Sequence, residues 1–475
     1  MSAESQARLR EVYGELLARA PEDAMEPRLE PVRRLCELLG DPHRSYPVVH
    51  VTGTNGKTST ARIVERLLRE HNLRTGRFTS PHLGSVNERI SIDGVPLTAN
   101  AFADVYEEVA PFVAIVDGEL HRAGGPALTY FEVLAVMAFA AFADAPVDVA
   151  VVEVGLGGSW DATNVVDAAV AVVTTVSLDH TGVLGEGLAE IAAEKAGILV
   201  DDGFLVMARQ TPEAGEVLME RARATRTKVA VEGRDFGVVR REVALGGQQV
   251  TLRGLVAEYA DVFLPLHGEH QARNAAIAVA AVEAFLGDGQ NSIPGDLLAE
   301  AFEDVTSPGR MEMLRPSPAV IVDAAHNAAG VAALVSTVEE SFAFHHLVGV
   351  VGMLEDKDAR TMLELLEPVL DEVVVTRSSS RRAVPVDALE ALATELFGED
   401  RVHAVERLDD ALATAVNLAE GAADTGGAVL VTGSVTVVGE SRLLLGARPV
   451  DVPVVLGRRR EEAPVEAEDE PEDDG

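Results

Sequence analysis

Cysteine is all but missing from this 475-residue chain. Cys36 is the single one, so no internal disulfide forms and no cysteine-based metal cluster is built. It reads as a small apolar side chain on an N-terminal helix, in keeping with a reducing cytoplasm. Long hydrophobic runs are missing too. The densest apolar stretches are broken by Asp, Glu or Gly within a few residues, so no transmembrane span is expected. The N-terminus carries a charged helical pattern (Glu4, Arg8, Arg10, Glu11, Glu15) in place of a basic region followed by an apolar stretch, so no secretory signal is expected.

Basic charge is short as well: 40 Lys and Arg face 77 Asp and Glu, a formal net charge of −37. Nucleic acid and anionic membranes are therefore not expected as partners, because phosphate backbones require a basic surface. A small phosphate-bearing ligand must be held by a few local groups against the overall field. Lysine is scarcest among the bases. Only Lys57, Lys195, Lys228 and Lys357 occur, and every other basic side chain is Arg. Such a chain keeps Lys where geometry or reactivity forbids Arg, although compositional bias also leaves a few survivors.

At 475 residues, with 47% hydrophobic and 25% charged side chains, the chain is globular and longer than one core supports. Helical segments from Ser5 to Leu39, interrupted near Pro21 and Pro27, lead to "YPVVHV", a glycine turn and "STARIVERLLREH": strand, turn, helix. Continuous Val/Ile/Leu runs such as "VDVAVVEV" and "AAVAVVTTVSL" alternate with Ala-rich helices, as in parallel strands covered on both faces. Short Gly-punctuated stretches between Val231 and Pro265 suggest an antiparallel insertion. The α/β rhythm restarts after Pro308-Gly309. We therefore expect an α/β protein with a domain boundary near Ser307: residues 1–306 as N-terminal helices and a domain with a mostly parallel sheet, and residues 307–456 as a smaller α/β domain. Residues 457–475, with nine acids against three Arg, are expected to form a disordered tail.

"VTGTNGKTST" lies where a phosphate-binding loop belongs. The strict pattern places Gly six residues before the lysine, but Val51 stands there and Gly53 replaces it. The mechanics survive: Gly53 and Gly56 let backbone N–H groups reach phosphate oxygens, Thr54 and Asn55 complete the turn, and Lys57 reaches the outer phosphates. Thr58 or Ser59 offers a hydroxyl to Mg²⁺. Glu153 and Asp179-His180 follow two strands and suit a metal, or equally a strand cap and a backbone-satisfied imidazole. Lys195, in "IAAEKAGI", is either a solvated lysine or a functional amine with a depressed pKa. Asn274, Arg310, Asp323 and His326 sit at strand ends or a helix start, where ordinary capping explains each by itself.

Taken together, "TGTNGKTS", "TSPHL", "NERI", "LTYFE", "EVGLGGSWDATN", "LDHTGVLG", "IAAEKAGI", "HQARN", "PGRMEML", "DAAHN", "GMLEDKD" and "VTGSVTVVGE" resemble, in order, the folylpolyglutamate synthase and dihydrofolate synthase branch of the Mur ligase family. The resemblance spans about Glu26 to Glu440. It implies that residues 1–306 hold a P-loop ATPase domain and residues 307–456 a smaller Rossmann-like, glutamate-binding domain, with ATP between them and Lys57 and its loop on the phosphates. Ser80, Glu153 and His180 become Mg²⁺ ligands, and Lys195 becomes a carbamylated lysine supporting a second Mg²⁺. Asn274, Arg310, Asp323 and His326 lie on the nucleotide. Glu26, Pro27 and Arg28, the stretch Thr129, Tyr130, Phe131 and Glu132, and Trp160, Asp161 and Ala162 match positions that hold a pterin in bifunctional members.

The implied reaction joins L-glutamate to a folate, and to dihydropteroate, through an acyl phosphate in a cytoplasmic monomer. Thr58 departs from the Gly of many folate members, and Trp160 occupies a variable position. The alternatives are a ligase acting on a nucleotide-linked cell-wall precursor, against which "TSPHL" and "LTYFE" speak, and a non-catalytic nucleotide-binding relative.

Overall fold

The computed structural model describes residues 3–21, 27–421 and 427–447. Glu26 and the acidic segment 457–475 lie outside these. The first sheet is built from β1 (Val48–Thr52), β2 (Thr75–Phe78), β3 (Ile90–Ile92), β4 (Val95–Pro96), β5 (Val149–Glu153), β6 (Ala168–Val173), β7 (Phe204–Met207) and β8 (Lys228–Val231). Their order is β4-β3-β2-β5-β1-β6-β7-β8. All neighbours are parallel except the β2–β3 and β3–β4 pairs. The central β1 is buried at every position, and its Val51 stands opposite Glu153 of β5 and Val172 of β6.

Apolar runs of this kind need cover on both faces, and both receive it. The Glu30–Leu38, Ala99–Arg122 and Tyr130–Asp144 helices pack on one side, with Phe78, Phe102, Phe139 and Phe142 fully buried. The Lys57–Glu70, Glu269–Gly287 and Gly295–Glu303 helices cover the other. The expected insertion is a separate antiparallel sheet of β9 (Gly237–Ala244), β10 (Gly247–Arg253) and β11 (Glu258–Leu264), in the order β11-β10-β9.

The second large sheet comprises β12 (Glu312–Pro316), β13 (Ala319–Val322), β14 (His346–Val351), β15 (Glu372–Val375), β16 (Val402–Ala404) and β17 (Gly427–Thr432). It is ordered β12-β13-β17-β14-β15-β16, with only the β12 edge antiparallel. The Ala328–Ser341, Ala359–Leu366 and Val386–Phe397 helices cover one face, and the Leu408–Gly421 and Val435–Leu444 helices the other.

Two elements run against local propensity. "VTVVGESRLL" is rich in β-branched residues yet forms the Val435–Leu444 helix, because the Ser434 hydroxyl accepts from Val437 N at 3.2 Å and caps it. The Ala99–Arg122 helix continues through Pro111, its buried stripe of Phe102, Tyr106, Val109, Val113 and Val116 outweighing the breaker.

One ion pair is locked inside the first domain. Arg77 on β2 and Glu65 on the Lys57–Glu70 helix meet at 2.6 Å, with side chains 3% and 1% exposed. Thr75 donates to the same carboxylate at 3.2 Å. Arg77→Ala leaves a buried charge uncompensated and is expected to cost about 3–5 kcal/mol of stability, measured by urea unfolding.

Candidate active site

Segments that leave the carboxyl ends of β1, β5, β6, β13 and β14 converge on one cavity of about 780 Å³ between the two large sheets. This is where open α/β sheets offer ligand space. The turn after β1 demands its glycines. Gly53 has φ +143°, and a Cβ there would lie 1.8 Å from Thr174 Oγ1; Gly56 has φ +87°, and its Cβ would lie 2.5 Å from Asn274 Oδ1. Thr54 N donates to Thr175 O at 2.9 Å, tying the loop to the end of β6. Lys57 folds back, donating to Gly53 O and Thr54 O at 3.1 Å each. Burial holds its ammonium below the usual lysine range.

Glu153 ends β5 beneath this loop. Its carboxylate accepts from Thr58 Oγ1 at 2.9 and 3.0 Å and from Ser80 N at 3.3 Å. Burial pushes its pKa up to about 7 in spite of Lys57 nearby. A buried carboxylate that two neutral donors cannot keep ionised fits a hard divalent cation, as does the hydroxyl of Thr58 beside it; Ser80 meets the carboxylate through its backbone N–H. Ser59 faces elsewhere, its hydroxyl 2.8 Å from Ser307 Oγ. Of the two hydroxyls the sequence left open, Thr58 stands at the carboxylate. Among the described residues no group of three His, Cys, Asp or Glu is poised as a metal cluster. A cation here would draw its remaining ligands from water and phosphate, as Mg²⁺ commonly does.

His180 lines the same cavity, in the left-handed region at φ +50°. Its Nε2 stands 3.4 Å from Lys357 Nζ, and burial, with Lys357 and Lys57, lowers its pKa to about 4. Asp179 accepts from Lys357 Nζ at 2.6 Å and from Asn327 Nδ2 at 3.0 Å. Burial opposes ionisation of Asp179, but His180, Lys357 and His326 together hold it below the usual carboxylate range. Asn327 also exchanges hydrogen bonds with Asn55 at 3.0 and 3.1 Å. Lys195 donates to Gly53 O at 2.9 Å, and burial followed by repulsion from Lys57 lowers its pKa to about 7. Gly158 and Gly197 allow its helix to lie directly on the loop after β5; a Cβ at Gly158 would stand 2.6 Å from Glu194 O.

Asn274 and Arg310 also border the cavity. Asp323 accepts from Met311 N and Ala325 N, both at 2.9 Å, and so shapes the turn that carries Arg310 and His326. His326 Nδ1 lies 2.8 Å from Ala324 O.

The three stretches matched to a pterin site are dispersed. Phe131 reaches the cavity, but Thr129 and Glu132 form a capping box. Glu132 also pairs with Arg28 at 3.0 Å, while Pro27 is exposed. Tyr130 lies under Arg89, whose guanidinium carbon is 5.2 Å from the ring centroid. Asp161 turns inward and accepts from Leu156 N and Thr163 N, both at 2.9 Å. Ala162 is buried and Trp160 packs against the apolar cluster that contains Leu184 and Ile191, and the Trp160–Ala162 stretch does not border the cavity. Its inward-turned Asp161 serves the backbone of the loop after β5.

Sequence reasoning missed the wall around Tyr13, His82 and Arg89, where Arg89 Nε lies 3.0 Å from His82 Nδ1 and the Tyr13 and His82 rings meet edge-on at 5.9 Å. It also gave no site to Arg382 or Ser434, which border the cavity from the second sheet. Motifs contained His82, Arg89 and Ser434, but only the fold brings them to one wall.

Comparison with known proteins decides the family. The Mur ligase middle domain matches residues 51–282, and the Mur ligase glutamate ligase domain matches residues 309–435. The chain is 49% identical over 450 residues to the dihydrofolate synthase/folylpolyglutamate synthase of Mycobacterium tuberculosis, covering 91% of this chain and 92% of that one. This chain belongs to that branch of the Mur ligases. Its fold matches the M. tuberculosis folylpolyglutamate synthase solved with ADP and AMPPCP at a TM-score of 0.90, covering 94% of this chain and 100% of that one at 49% identity. An FPGS–AMPPCP–folate complex matches at 0.80, covering 92% and 99% at 27% identity. Like its relatives in this branch, the chain is an ATP-dependent ligase. No helix among the described residues is long and apolar enough to cross a membrane.

The raised pKa of Glu153 has a measurable consequence. Its folded value of about 7 exceeds the ordinary 4.5, so the stability it allows is fully present below about pH 4.5 and is lost as pH rises through about 7. Glu153→Gln is expected to flatten that decline and to melt higher than the parent at pH 8 when both lack ligand and divalent cation. Parallel melting curves across this range would contradict the assignment.

Proposed function

We propose that this ligase adds L-glutamate to the carboxylate of a folate, and also to dihydropteroate. The observation that carries the reading is a single cavity bordered both by the phosphate loop and by Lys357, Arg382 and Ser434 of the second sheet. ATP and its acceptor can thus meet an amino acid held by the other domain. The apolar wall of Tyr13 and Phe131 suits a flat ring system such as a pterin. The relatives' names point the same way: one was solved with folate, and another is named for both synthase activities.

In the proposed mechanism an oxygen of the acceptor carboxylate attacks the γ-phosphorus, the bond to ADP breaks, and an acyl phosphate forms. The neutral amine of glutamate then attacks the acyl carbon. Inorganic phosphate departs with the former carboxylate oxygen, and the amine proton is lost. Lys57, with the N–H groups of Gly53–Ser59, binds and orients the phosphates. Glu153 with Thr58 and Ser80, and His180 beside them, would hold Mg²⁺, which would supply charge neutralisation on the transferring phosphoryl group. Arg310 and Asn274 hold the nucleotide across the cleft. The protein acts mainly by positioning, so both domains must close on the reactants.

Lys195 completes the reading. A buried amine with a pKa near 7 is substantially neutral at neutral pH, the form that reacts with CO₂. A second cavity of about 40 Å³, bordered by Lys57, Asp179, His180 and Lys195, gives a carbamate room. The resulting carboxylate would support a second Mg²⁺. The proposal extends to a monomer working in the cytoplasm.

Purified protein offered ATP, Mg²⁺ and glutamate with dihydropteroate or tetrahydrofolate in separate reactions is expected to add glutamyl units to both, followed by product mass and ADP release. Extension of tetrahydrofolate alone would remove dihydropteroate from the proposal, and no product with either would overturn it. Lys195→Arg is expected to lower turnover by at least a hundredfold while ADP binding and the unfolding transition persist. Near-normal turnover in that variant would refute the carbamate.

A further inference from the structure

Arg62 has been given no role by the motifs or by the mechanism above. It stands on the Lys57–Glu70 helix, is buried, and does not border the cavity. Its guanidinium instead grips the segment that joins the two domains. Nε donates to Thr306 O at 2.8 Å and Nη2 to Thr306 Oγ1 at 3.0 Å. The same helix holds the residues on either side. Arg66 Nη2 lies 3.4 Å from Asp304 Oδ2, and the Ser59 hydroxyl lies 2.8 Å from Ser307 Oγ. Val305 is buried in the core of the first domain. The stretch 304–307 is thus fastened to the helix that opens with the lysine of the phosphate loop.

From Gly309 onward the partners belong to the second domain. Gly309 N donates to Glu312 Oε2 at 2.7 Å, and Ala324 N donates to Gly309 O at 2.9 Å. Met311 N donates to Asp323 Oδ2 at 2.9 Å, and Arg442 stands 3.3 Å from Glu312. Gly309 and Met311 both take positive φ, +68° and +44°, so the turn is a set bend and not a slack tether. Between the two anchorages lies Pro308, whose ring restricts φ to about −65°. Arg310, which borders the cavity, takes its place from both sides of this handover.

We propose that Arg62 is a positioning residue for the ligase reaction. By clamping Thr306 to the helix of the phosphate loop, it sets the angle at which the second domain, with Arg310, Lys357 and Ser434, meets the bound nucleotide. It touches no substrate and acts through the linker alone. A charged, forked donor suits the task, since it fixes direction as well as distance. The inference rests on the ligase reading in one respect: the reactants must be brought together from two domains. Misplacement of reacting groups by about 1 Å costs up to roughly a hundredfold in rate, so a loosened clamp should be felt in kcat.

The test compares the full-length parent with Arg62→Met, Arg62→Lys and Ser307→Ala. Hydrogen exchange across residues 304–311 is read without ligands, Mg·ADP binding at equilibrium, and turnover with ATP, Mg²⁺, glutamate and tetrahydrofolate. In Arg62→Met the linker amides should exchange faster while residues 57–70 stay protected. Its ADP affinity should stay within about threefold of the parent, and its kcat should fall at least about tenfold at unchanged KM for ATP. Arg62→Lys, which keeps one cationic donor, should recover part of kcat. Ser307→Ala, which removes a neutral hydrogen bond, should lose about two- to threefold. Parent-like linker exchange or parent-like kcat in Arg62→Met would overturn the proposal. So would a fall in kcat matched by an equal loss of ADP affinity and not relieved by lysine, the mark of general damage to the helix. If Arg62→Met does not fold, the other two variants decide: parent-like exchange and kcat in both overturns it. Linker exchange needs no acceptor, so the clamp can fail while the folate reading stands, and the reverse.

Discussion

The site depends on one buried carboxylate that belongs to both halves of the molecule. Asp179, at the end of a first-domain segment, takes hydrogen bonds from Lys357 and Asn327 of the second domain. Asn327 is simultaneously engaged with Asn55 of the phosphate loop. The loop, the imidazole of His180 and the wall of the second sheet are thus fixed in one polar network. Removing any member leaves buried partners unsatisfied, which costs more than the bond itself contributed. Such a network holds the two sheets in register at the cavity, beside the apolar packing of Leu83 against the core of the second sheet.

The same arrangement resolves the conflict between the acidity of the chain and its anionic ligand. Against a net charge of −37, favourable potential must be local. Lys57, Arg310 and Lys357 all border the cavity, and three of the chain's four lysines stand at or beside it: Lys195 and Lys357 with buried side chains, and Lys57 half-buried. Lys228 pairs with Asp288 at the exposed edge of the first sheet. Burial first, and then repulsion from Lys57, pushes Lys195 down to about 7. Raised and lowered values within one cleft, Glu153 upward and Lys195 downward, mark it as prepared for an ion and a charged ligand.

Much of this was legible from sequence, for identifiable reasons. Parallel strands betray themselves by unbroken valine runs, and β1, β5 and β6 occur where such runs stand. The loop glycines could be read because their positive φ leaves few other choices. The Val435–Leu444 and Ala99–Arg122 helices could not, since a single cap and a buried stripe override propensity there. Asp161 shows a different limit. A motif places it near a pocket, but only the fold reveals that its carboxylate faces the backbone of its own loop. His82 and Arg89 lie seven residues apart and meet only because the β2–β3 turn folds back, a contact no local pattern announces.

The central claim is that this cleft activates a carboxylate by phosphorylation before glutamate attacks it. Transfer of oxygen tests it directly. Tetrahydrofolate carrying ¹⁸O in its side-chain carboxylates would be turned over with ATP, Mg²⁺ and glutamate, and the released phosphate analysed by mass. The account predicts one ¹⁸O in each phosphate released, since the acyl oxygen leaves with the phosphoryl group. Phosphate free of label, formed together with glutamylated product, would contradict it.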